Sequence, residues 1–172
     1  MSETDRLFLE CSIRRLRELA PGIETCLGKL TPEQLWARGG ENENAIGNLV
    51  LHLCGNLRQW IIAGVGGRPD TRDRDREFAA RGGASSPELI ARLRETVDSA
   101  TAVIAALAPG RLPEQLTIQG YQVSVLEAIY HVVEHFSGHT GQIIFATKML
   151  TGEDLGFYRH LNRAAAHNEK TP

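Results

Sequence analysis

Four long segments of the sequence repeat apolar residues at the three- and four-residue spacing of an α-helix. The clearest runs from about residue 45 to residue 63, and its apolar positions are Ile46, Leu49, Val50, Leu53, Leu57, Trp60 and Ile61. Similar patterns cover about residues 4–30, 86–108 and 124–150. A chain of 172 residues, 42% of them hydrophobic, can bury one substantial core. We therefore predict a single all-α domain over residues 1–172, built as a four-helix bundle.

Capping residues indicate where the predicted helices begin and end. Ser124 and Glu127 have the spacing of a capping box at the start of the fourth helix, and Gly152 is a typical terminator. Asn44 is the expected cap of the second helix. Ser86, which is followed by proline, is the expected cap of the third.

Several segments interrupt the helical pattern. Pro21 predicts a kink or a split in the first helix. Residues 68–77 carry four basic and four acidic residues, and we interpret them as a solvated loop, with folding over the mouth of a site as the alternative. Residues 109–122 predict a loop with weak strand character at 116–118, and a polar tail begins at about residue 163. These long connections predict a bundle with crossover connections.

Charge and composition argue against several classes of function. Nineteen basic and 21 acidic residues give a net charge of −2, and without a basic stripe we expect no nucleic-acid partner. No segment offers the ~20 apolar residues of a membrane span, and the acidic start of the sequence is unlike a signal peptide. Cys11, Cys26 and Cys54 are odd in number and form no C-x-x-C pair, which favours free thiols in the cytoplasm.

Histidines are the residues that carry a prediction of chemistry. His131, His135 and His139 are spaced four apart and so lie on one face of the fourth helix. Two imidazoles at this spacing can point at one metal ion, as in zinc sites on helices. A surface stripe of histidines, or core histidines bonded to neighbours, gives the same spacing. On the second helix, His52 is also open to two interpretations, a lone core histidine or a further ligand.

Two seams of small and polar residues favour the metal interpretation. The residues that share a helix face with His52 are Ala45, Asn48, Gly55, Asn56 and Gln59. The face of His135 and His139 includes Ala128, Gly138 and Gln142. A bundle with an internal polar site needs such seams, and facing helices then supply the ligands.

Residues 44–52, NAIGNLVLH, resemble the second-helix signature of the DinB-like superfamily. Residues 135–143, HFSGHTGQI, are similar to its fourth-helix motif, and residues 150–155 also fit. The resemblance implies a DinB-like four-helix bundle, which in this superfamily is often a homodimer. It also implies one divalent ion on the histidines that match the family's ligands, which are His52, His135 and His139. The GQI sequence that follows His139 favours this pair over His131 and His135.

The resemblance leaves His131 without an assigned role, either beside the ligands or as a polar core residue. Metal-bound histidines usually donate their second N–H to an acceptor. The acceptors we expect are Asn48, Asn56 and Gln142. Glu127 and Glu134 are less favourable, since Glu134 is rotated by about 100° from its neighbour His135. His160 and His167 lie in the tail and are expected to face solvent.

Three histidine ligands imply an open metal site. A structural zinc site is normally closed by four protein ligands. Cys54 lies about 200° around the helix from His52 and cannot join it. Imidazole suits zinc or nickel, our first expectations, and also iron or copper. By analogy with DinB-like relatives we expect a metal-dependent hydrolase or a transferase that joins a small thiol to an electrophile. The alternative is a non-catalytic metal-binding or stress-response bundle. Candidate sites for anionic groups are Arg38, Arg58 and the arginines of residues 72–76.

Overall fold

The computed structural model of the protein describes residues 1–157 and 159. Within these residues the α-helices are α1 (Glu3–Leu27), α2 (Pro32–Leu35), α3 (Ile46–Leu57), α4 (Arg74–Ala79), α5 (Ser86–Ala105) and α6 (Val125–Thr151). A π-helical segment, Arg58–Val65, continues α3. The strands are β1 (Gln115–Ile118) and β2 (Tyr121–Ser124), which form an antiparallel hairpin. The predicted all-α fold is therefore confirmed. Tyr158, His160, Leu161, His167 and the polar tail from about residue 163 lie outside the described residues.

The four long helices pack as a bundle whose connections cross it. α1 contacts α5 and α6, and α3 contacts the same two helices, so α1 and α3 lie on opposite corners. Residues 28–45 link α1 to α3, and residues 106–124 link α5 to α6. Each link therefore joins diagonal partners, as the long crossover connections predicted. In the described part of the chain, no helix is long and apolar enough to cross a membrane.

The apolar stripes of the four helices form one core. Leu16 and Ile23 from α1, Leu53 from α3, Leu93 from α5 and Ile129 from α6 are all fully buried. Burial of such side chains contributes about 1.5–3 kcal/mol each, which stabilises the helices far more than their intrinsic propensity does. The core thus fixes which faces of α3 and α6 meet.

The two ends of α6 are as predicted, whereas two other helices begin differently. Ser124 and Glu127 form the capping box, and Gly152 ends the helix with a φ of 67°. Asn44 is not the cap of α3: the Asn48 side chain accepts the N–H of Ala45 instead. The cap of α5 is Ser85 rather than Ser86, because Ser85 bonds to Glu88 three residues later.

The split predicted at Pro21 is wrong, because Pro21 lies inside the uninterrupted helix α1. Ala20 and Ile23, on either side of it, are both buried against the bundle. Their packing outweighs the ~3 kcal/mol that an interior proline costs a helix. Pro21 itself is exposed, so its ring does not meet the core.

Residues 68–79, called the strap here, connect α3 to α5 across the polar seam of α3. α4 forms the second half of this segment and contacts α3. The interpretation of residues 68–77 as a solvated loop is wrong for two of its charges, since the side chains of Arg72 and Glu77 are only 2% and 11% exposed. Their neighbours Asp73 and Arg74 are exposed. The strap folds over the seam, as the alternative interpretation had it.

Candidate metal centre

His52 lies on α3 in a seam of small and polar residues. Its side chain is buried, and so are Asn48, Gly55 and Asn56 on the same seam. A polar ring buried among apolar helices loses its water and must be compensated by hydrogen bonds or by a ligand. The position of His52 therefore demands partners, and the facing helix α6 supplies them.

His135 and His139 project from α6 toward the same point as His52. The Nε2 atom of His135 lies 3.0 Å from Nε2 of His52 and 3.1 Å from Nε2 of His139. The ligand atoms of all three side chains lie within 4.8 Å of one another. Because one helical turn separates His135 from His139, both rings reach this point without distorting α6.

These three histidines fit a divalent transition-metal ion. Imidazole nitrogens bound at about 2.0–2.1 Å to one ion lie roughly 2.9–3.4 Å apart for the usual ligand angles. The two Nε2 separations at His135 fall in this range. In the described part of the chain, this group contains no cysteine and no carboxylate. His135 and His139 are only half-buried, so the group is not sealed from solvent.

The second ring nitrogens of two of these histidines meet acceptors. Nδ1 of His139 lies 2.7 Å from Oε1 of Gln142, and Nδ1 of His52 lies 3.2 Å from Oε2 of Glu77. When Nδ1 carries the proton and donates it here, the Nε2 lone pair is left free for a metal. Nδ1 of His135 is buried and has no hydrogen-bond partner among the described residues.

Glu77 reaches His52 from the strap, held by Arg72. The Nε and Nη2 atoms of Arg72 each donate to one carboxylate oxygen of Glu77 at 2.8 Å. Nη2 of Arg72 also lies 3.0 Å from Nδ1 of His52, and Nη1 donates to Gln59. The bidentate pair fixes both side chains in one geometry. A Cβ atom at Gly55 would collide with Glu77, so this glycine makes room for the carboxylate.

Burial and neighbouring charges shift the pKa values of three groups at this site. Burial, together with the neighbouring histidines and Arg72, lowers the pKa of His135 to about 3. Burial also lowers the pKa of His139, against the hydrogen bond that its Nδ1–H donates to Gln142. Burial raises the pKa of Glu77, but its bonds to Arg72 and His52 outweigh this and leave the pKa below its usual value. At neutral pH His135 and His139 are therefore neutral, as metal ligands must be, and Glu77 is ionised.

His131 lies one turn from the group and outside it. Its ring packs against Trp60 of the π-helical segment, with centroids 4.2 Å apart and planes tilted by 38°, and Nδ2 of Asn56 lies 3.5 Å from its Nε2. Its ring is 5.5 Å from that of His135. These contacts correspond to a polar core residue, one of the two roles considered for it. Asn56 is likewise next to His131 rather than to the three-histidine group.

Two polar residues hold the strap rather than a ligand ring. The Asn48 side chain donates to the carbonyls of Glu77 and Ala80 and accepts from Arg38. Nη2 of Arg38 also donates to the Phe78 carbonyl and so anchors the strap, and its role as a site for anions stays a prediction. Glu127, a less favourable candidate acceptor for a ligand histidine, takes part in the capping box of α6.

The sequence interpretation missed Glu77 as a partner of His52. An alternating run of Arg, Asp and Glu has no periodicity that shows which side chain turns inward. The small residue Gly55, one turn from His52, was the available signal that something approaches α3 closely.

A cavity lies beside the three-histidine group and not at it. It has a volume of about 860 Å³ and is lined by Arg58 and Arg76 among others, with Arg72 and Glu77 forming its wall toward His52. None of the three histidines lines it. The chemistry of the ligand atoms, rather than cavity size, therefore locates the candidate site.

Comparison with known proteins places this arrangement in a family. Residues 3–161 match the family described as "Protein of unknown function (DUF1572)". The chain belongs to the DUF1572 family. The matched region includes all three histidines of the group and the strap. No curated protein matches the sequence.

A solved structure shares the fold of this DUF1572 chain. It is described as "Crystal structure of the conserved protein of locus from Enterococcus faecalis". The two superpose with a TM-score of 0.73 over 89% of this chain and 99% of the other, at 15% sequence identity. The likeness therefore establishes the bundle architecture and carries no information on ligand or activity.

Proposed function

We propose that this protein is a DinB-like metalloenzyme that holds one divalent ion on His52, His135 and His139. The observation that carries the proposal is the convergence of three Nε2 atoms on a half-open point, without a carboxylate or thiolate in the group among the described residues. Zinc or nickel is the first expectation, and iron or copper would also suit three imidazoles.

The proposed reaction is the attack of a small nucleophile on an electrophilic substrate. A divalent ion with an open position lowers the pKa of water or of a thiol bound to it. Gln142 and Glu77 orient two of the ligand rings, and the half-buried histidines leave one side for the nucleophile. The resemblance to DinB-like proteins favours thiol-dependent S-transfer, with hydrolysis as the other reaction of this type.

The competing proposal is a non-catalytic metal-binding or stress-response bundle in which the ion braces α3 against α6. A brace is normally closed by a fourth protein ligand, for which a Glu, an Asp or His131 would be the candidates. Glu77 is paired with Arg72 and with Nδ1 of His52. His131 packs against Trp60. This contact favours catalysis over bracing.

Metal content is the first test of the proposal. The wild type is expected to contain about one zinc, nickel, iron or copper ion per chain, and the His52→Ala and His139→Ala variants none, by elemental analysis. A wild type that holds no metal after incubation with zinc or nickel and desalting would refute the proposal.

We also propose a cytoplasmic location for the protein. The unpaired thiols of Cys11, Cys26 and Cys54 agree with a reducing cytoplasm.

Substitution with Co²⁺ distinguishes an ion with an open coordination position from an ion that only braces the bundle. A thiol that binds at an open position changes the visible and near-ultraviolet spectrum of the cobalt protein, whereas a closed site gives no change. The loaded protein is then assayed with a small thiol and 1-chloro-2,4-dinitrobenzene, with the metal-free protein as control. A spectral change and metal-dependent turnover support catalysis. An unchanged spectrum with a raised melting temperature supports the brace.

We further propose a homodimer that pairs the outer face of α6 with its copy. Leu126, Tyr130, Phe145 and Met149 are 41%, 60%, 67% and 72% exposed along this face. They are placed symmetrically about residues 137 and 138, so an antiparallel pair sets Leu126 against Met149 and Tyr130 against Phe145 of the copy. Gly138, at the crossing point, has open space around it. Such self-complementarity is what a two-fold interface requires.

Light scattering tests the dimer at micromolar concentration. The wild type is expected at twice the chain mass, and Phe145→Ser is expected to be monomeric. Leu7→Ser removes an exposed leucine of α1 and is the matched control that should remain dimeric. A monomeric wild type, or dissociation by both variants alike, contradicts this interface.

A further inference from the structure

The strap presents two opposed partners to the outer nitrogen of His52. Oε2 of Glu77, an acceptor, lies 3.2 Å from Nδ1, and Nη2 of Arg72, a donor, lies 3.0 Å from the same atom. A neutral imidazole carries one proton, so Nδ1 can either donate to the carboxylate or accept from the guanidinium. Each choice leaves the opposite state on Nε2, the nitrogen that faces His135.

Only one of these two states allows His52 to bind a metal. When Nδ1–H donates to Glu77, Nε2 has a free lone pair. When Nδ1 accepts from Arg72, the proton resides on Nε2, where it can be donated to Nε2 of His135 at 3.0 Å. The ionised carboxylate therefore favours the metal-binding form of the ring, and the guanidinium favours the metal-free form.

The strap is anchored so that Glu77 keeps this position. The Asn48 side chain donates to the Glu77 carbonyl at 2.8 Å and to the Ala80 carbonyl at 2.9 Å. Arg38 donates to Oδ1 of Asn48 at 2.6 Å, and Gly55 leaves the space that the carboxylate occupies. Burying the charges of Arg72 and Glu77 costs free energy unless each charge is paired. The pair is therefore stable only in an arrangement that keeps both side chains in contact.

On the basis of the proposed function, we infer that Glu77 is a positioning residue that selects the metal-binding form of His52. Arg72 holds the Glu77 carboxylate in place and also competes with it for Nδ1 of His52. Metal affinity and the order of the strap are then thermodynamically linked. By reciprocity, the factor by which strap docking raises metal affinity equals the factor by which metal favours the docked strap.

Zinc affinity of the full-length protein, measured by competition with a chromophoric chelator, tests the role of Glu77. Glu77→Gln is expected to weaken zinc binding about 10- to 100-fold, the usual effect of losing such a carboxylate. Glu134→Gln removes the same charge from an exposed position beside His135 and is the matched control, expected to bind as the wild type does. Adding Arg72→Met to Glu77→Gln removes the competing donor and is expected to restore part of the affinity.

Limited trypsin digestion tests the linkage by a second measurement. Arg74 and Arg76 are exposed cleavage points within the strap. Zinc is expected to slow cleavage there in the wild type, and to slow it less in Glu77→Gln. Circular dichroism of the metal-free variants shows whether each retains its helices.

The outcomes separate this inference from the proposed function. A wild type that binds no zinc overturns both. A wild type that binds one zinc, with Glu77→Gln binding equally well, overturns the role of Glu77 and leaves the three-histidine centre intact. Equal weakening by Glu134→Gln would show a general charge effect and would likewise overturn it. Selective weakening by Glu77→Gln, partly reversed by Arg72→Met, supports the inference.

Discussion

His131 and His135 occupy the same face of α6, one turn apart, yet they lie in opposite environments. His135 meets Nε2 of His52 at 3.0 Å and Nε2 of His139 at 3.1 Å. His131 meets the face of Trp60. Burial lowers the pKa of both rings, so both are neutral at pH 7. The two histidines thus differ in the residue that faces them: His52 of α3 faces His135, and Trp60 of the π-helical segment faces His131.

The difference shows that an i, i+4 histidine pair becomes a candidate metal site only through its facing element. His131 and His135 have the same spacing as His135 and His139. At the His131 end, the π-helical segment brings a large aromatic ring that fills the space. At the His135 end, α3 offers His52 and the small residue Gly55, and the strap adds Glu77. π-Helical segments often occur next to functional sites. Here the π-helical segment places Trp60 against His131, so that His131 lies in a different environment from His135.

The largest effect is expected from removing His135, the middle of the three proposed ligands. His135→Ala removes the ring that contacts both other histidines, so metal content is expected to fall from about one ion per chain to none. The fold should persist, because the core does not depend on this half-buried ring. Elemental analysis and circular dichroism check the two parts. A variant that kept one ion per chain would place the site elsewhere, and His131→Ala, expected to keep its metal, is the control.

A smaller effect is expected from closing the space that admits Glu77. Gly55→Ala places a Cβ against the Glu77 carboxylate and 2.9 Å from Nε of Arg72, so the strap must move away from His52. We expect zinc affinity to fall about tenfold, the lower end of the range for loss of such an acceptor.

Gly22→Ala is the matched control for this substitution, since its Cβ on α1 would meet only the Phe157 ring at 4.0 Å, an ordinary contact. It should leave zinc affinity unchanged and favour the helix by up to ~1 kcal/mol. Equal zinc affinity in both alanine variants would mean that the docked strap is not needed for binding.

Much of the bundle and of the three-histidine group was predictable from sequence because both depend on local periodicity. Helical spacing placed the apolar stripes, and the Ser124–Glu127 box and Gly152 marked both ends of α6. The spacing of His135 and His139 put their rings on one face whatever the tertiary fold. The match to His52 came from the resemblance to DinB-like motifs, since no local rule pairs residues 83 positions apart.

The strap and the π-helical segment were not predictable for a physical reason. The side chains of Arg72 and Glu77 are buried because Asn48 and Gly55 on α3 and Gln59 on the π-helical segment receive them, and the strap sequence itself contains no sign of this. The alternating charges of residues 68–77 are compatible with a solvated loop and with a docked one. Only tertiary contact decides between them, as it does for Pro21 inside α1.

A stability effect without metal loss is expected at the other end of the seam. His131→Ala removes a half-buried ring from Trp60 and is expected to lower the free energy of unfolding by about 1–2 kcal/mol, a typical cost for such a loss. His131→Phe keeps the stacked ring and should cost less. Urea denaturation of the metal-free proteins measures both. A loss of bound metal in His131→Phe would contradict the separation of the two ends.

The smallest expected effect tests whether the centre depends on histidine alone. Cys54 lies two residues from His52 but on another side of α3, next to the cavity that Arg58 lines. Burial raises the pKa of the Cys54 thiol to about 11, against a hydrogen bond with Thr96, so little thiolate exists at neutral pH. Cys54→Ser is therefore expected to keep about one metal ion per chain with unchanged zinc affinity. In the folded wild type, a disulfide reagent should react quickly with the exposed Cys11 and slowly with Cys54. Loss of metal in Cys54→Ser would mean that a thiolate joins the ligands, because a buried thiol of raised pKa gives up its proton readily only to a metal ion.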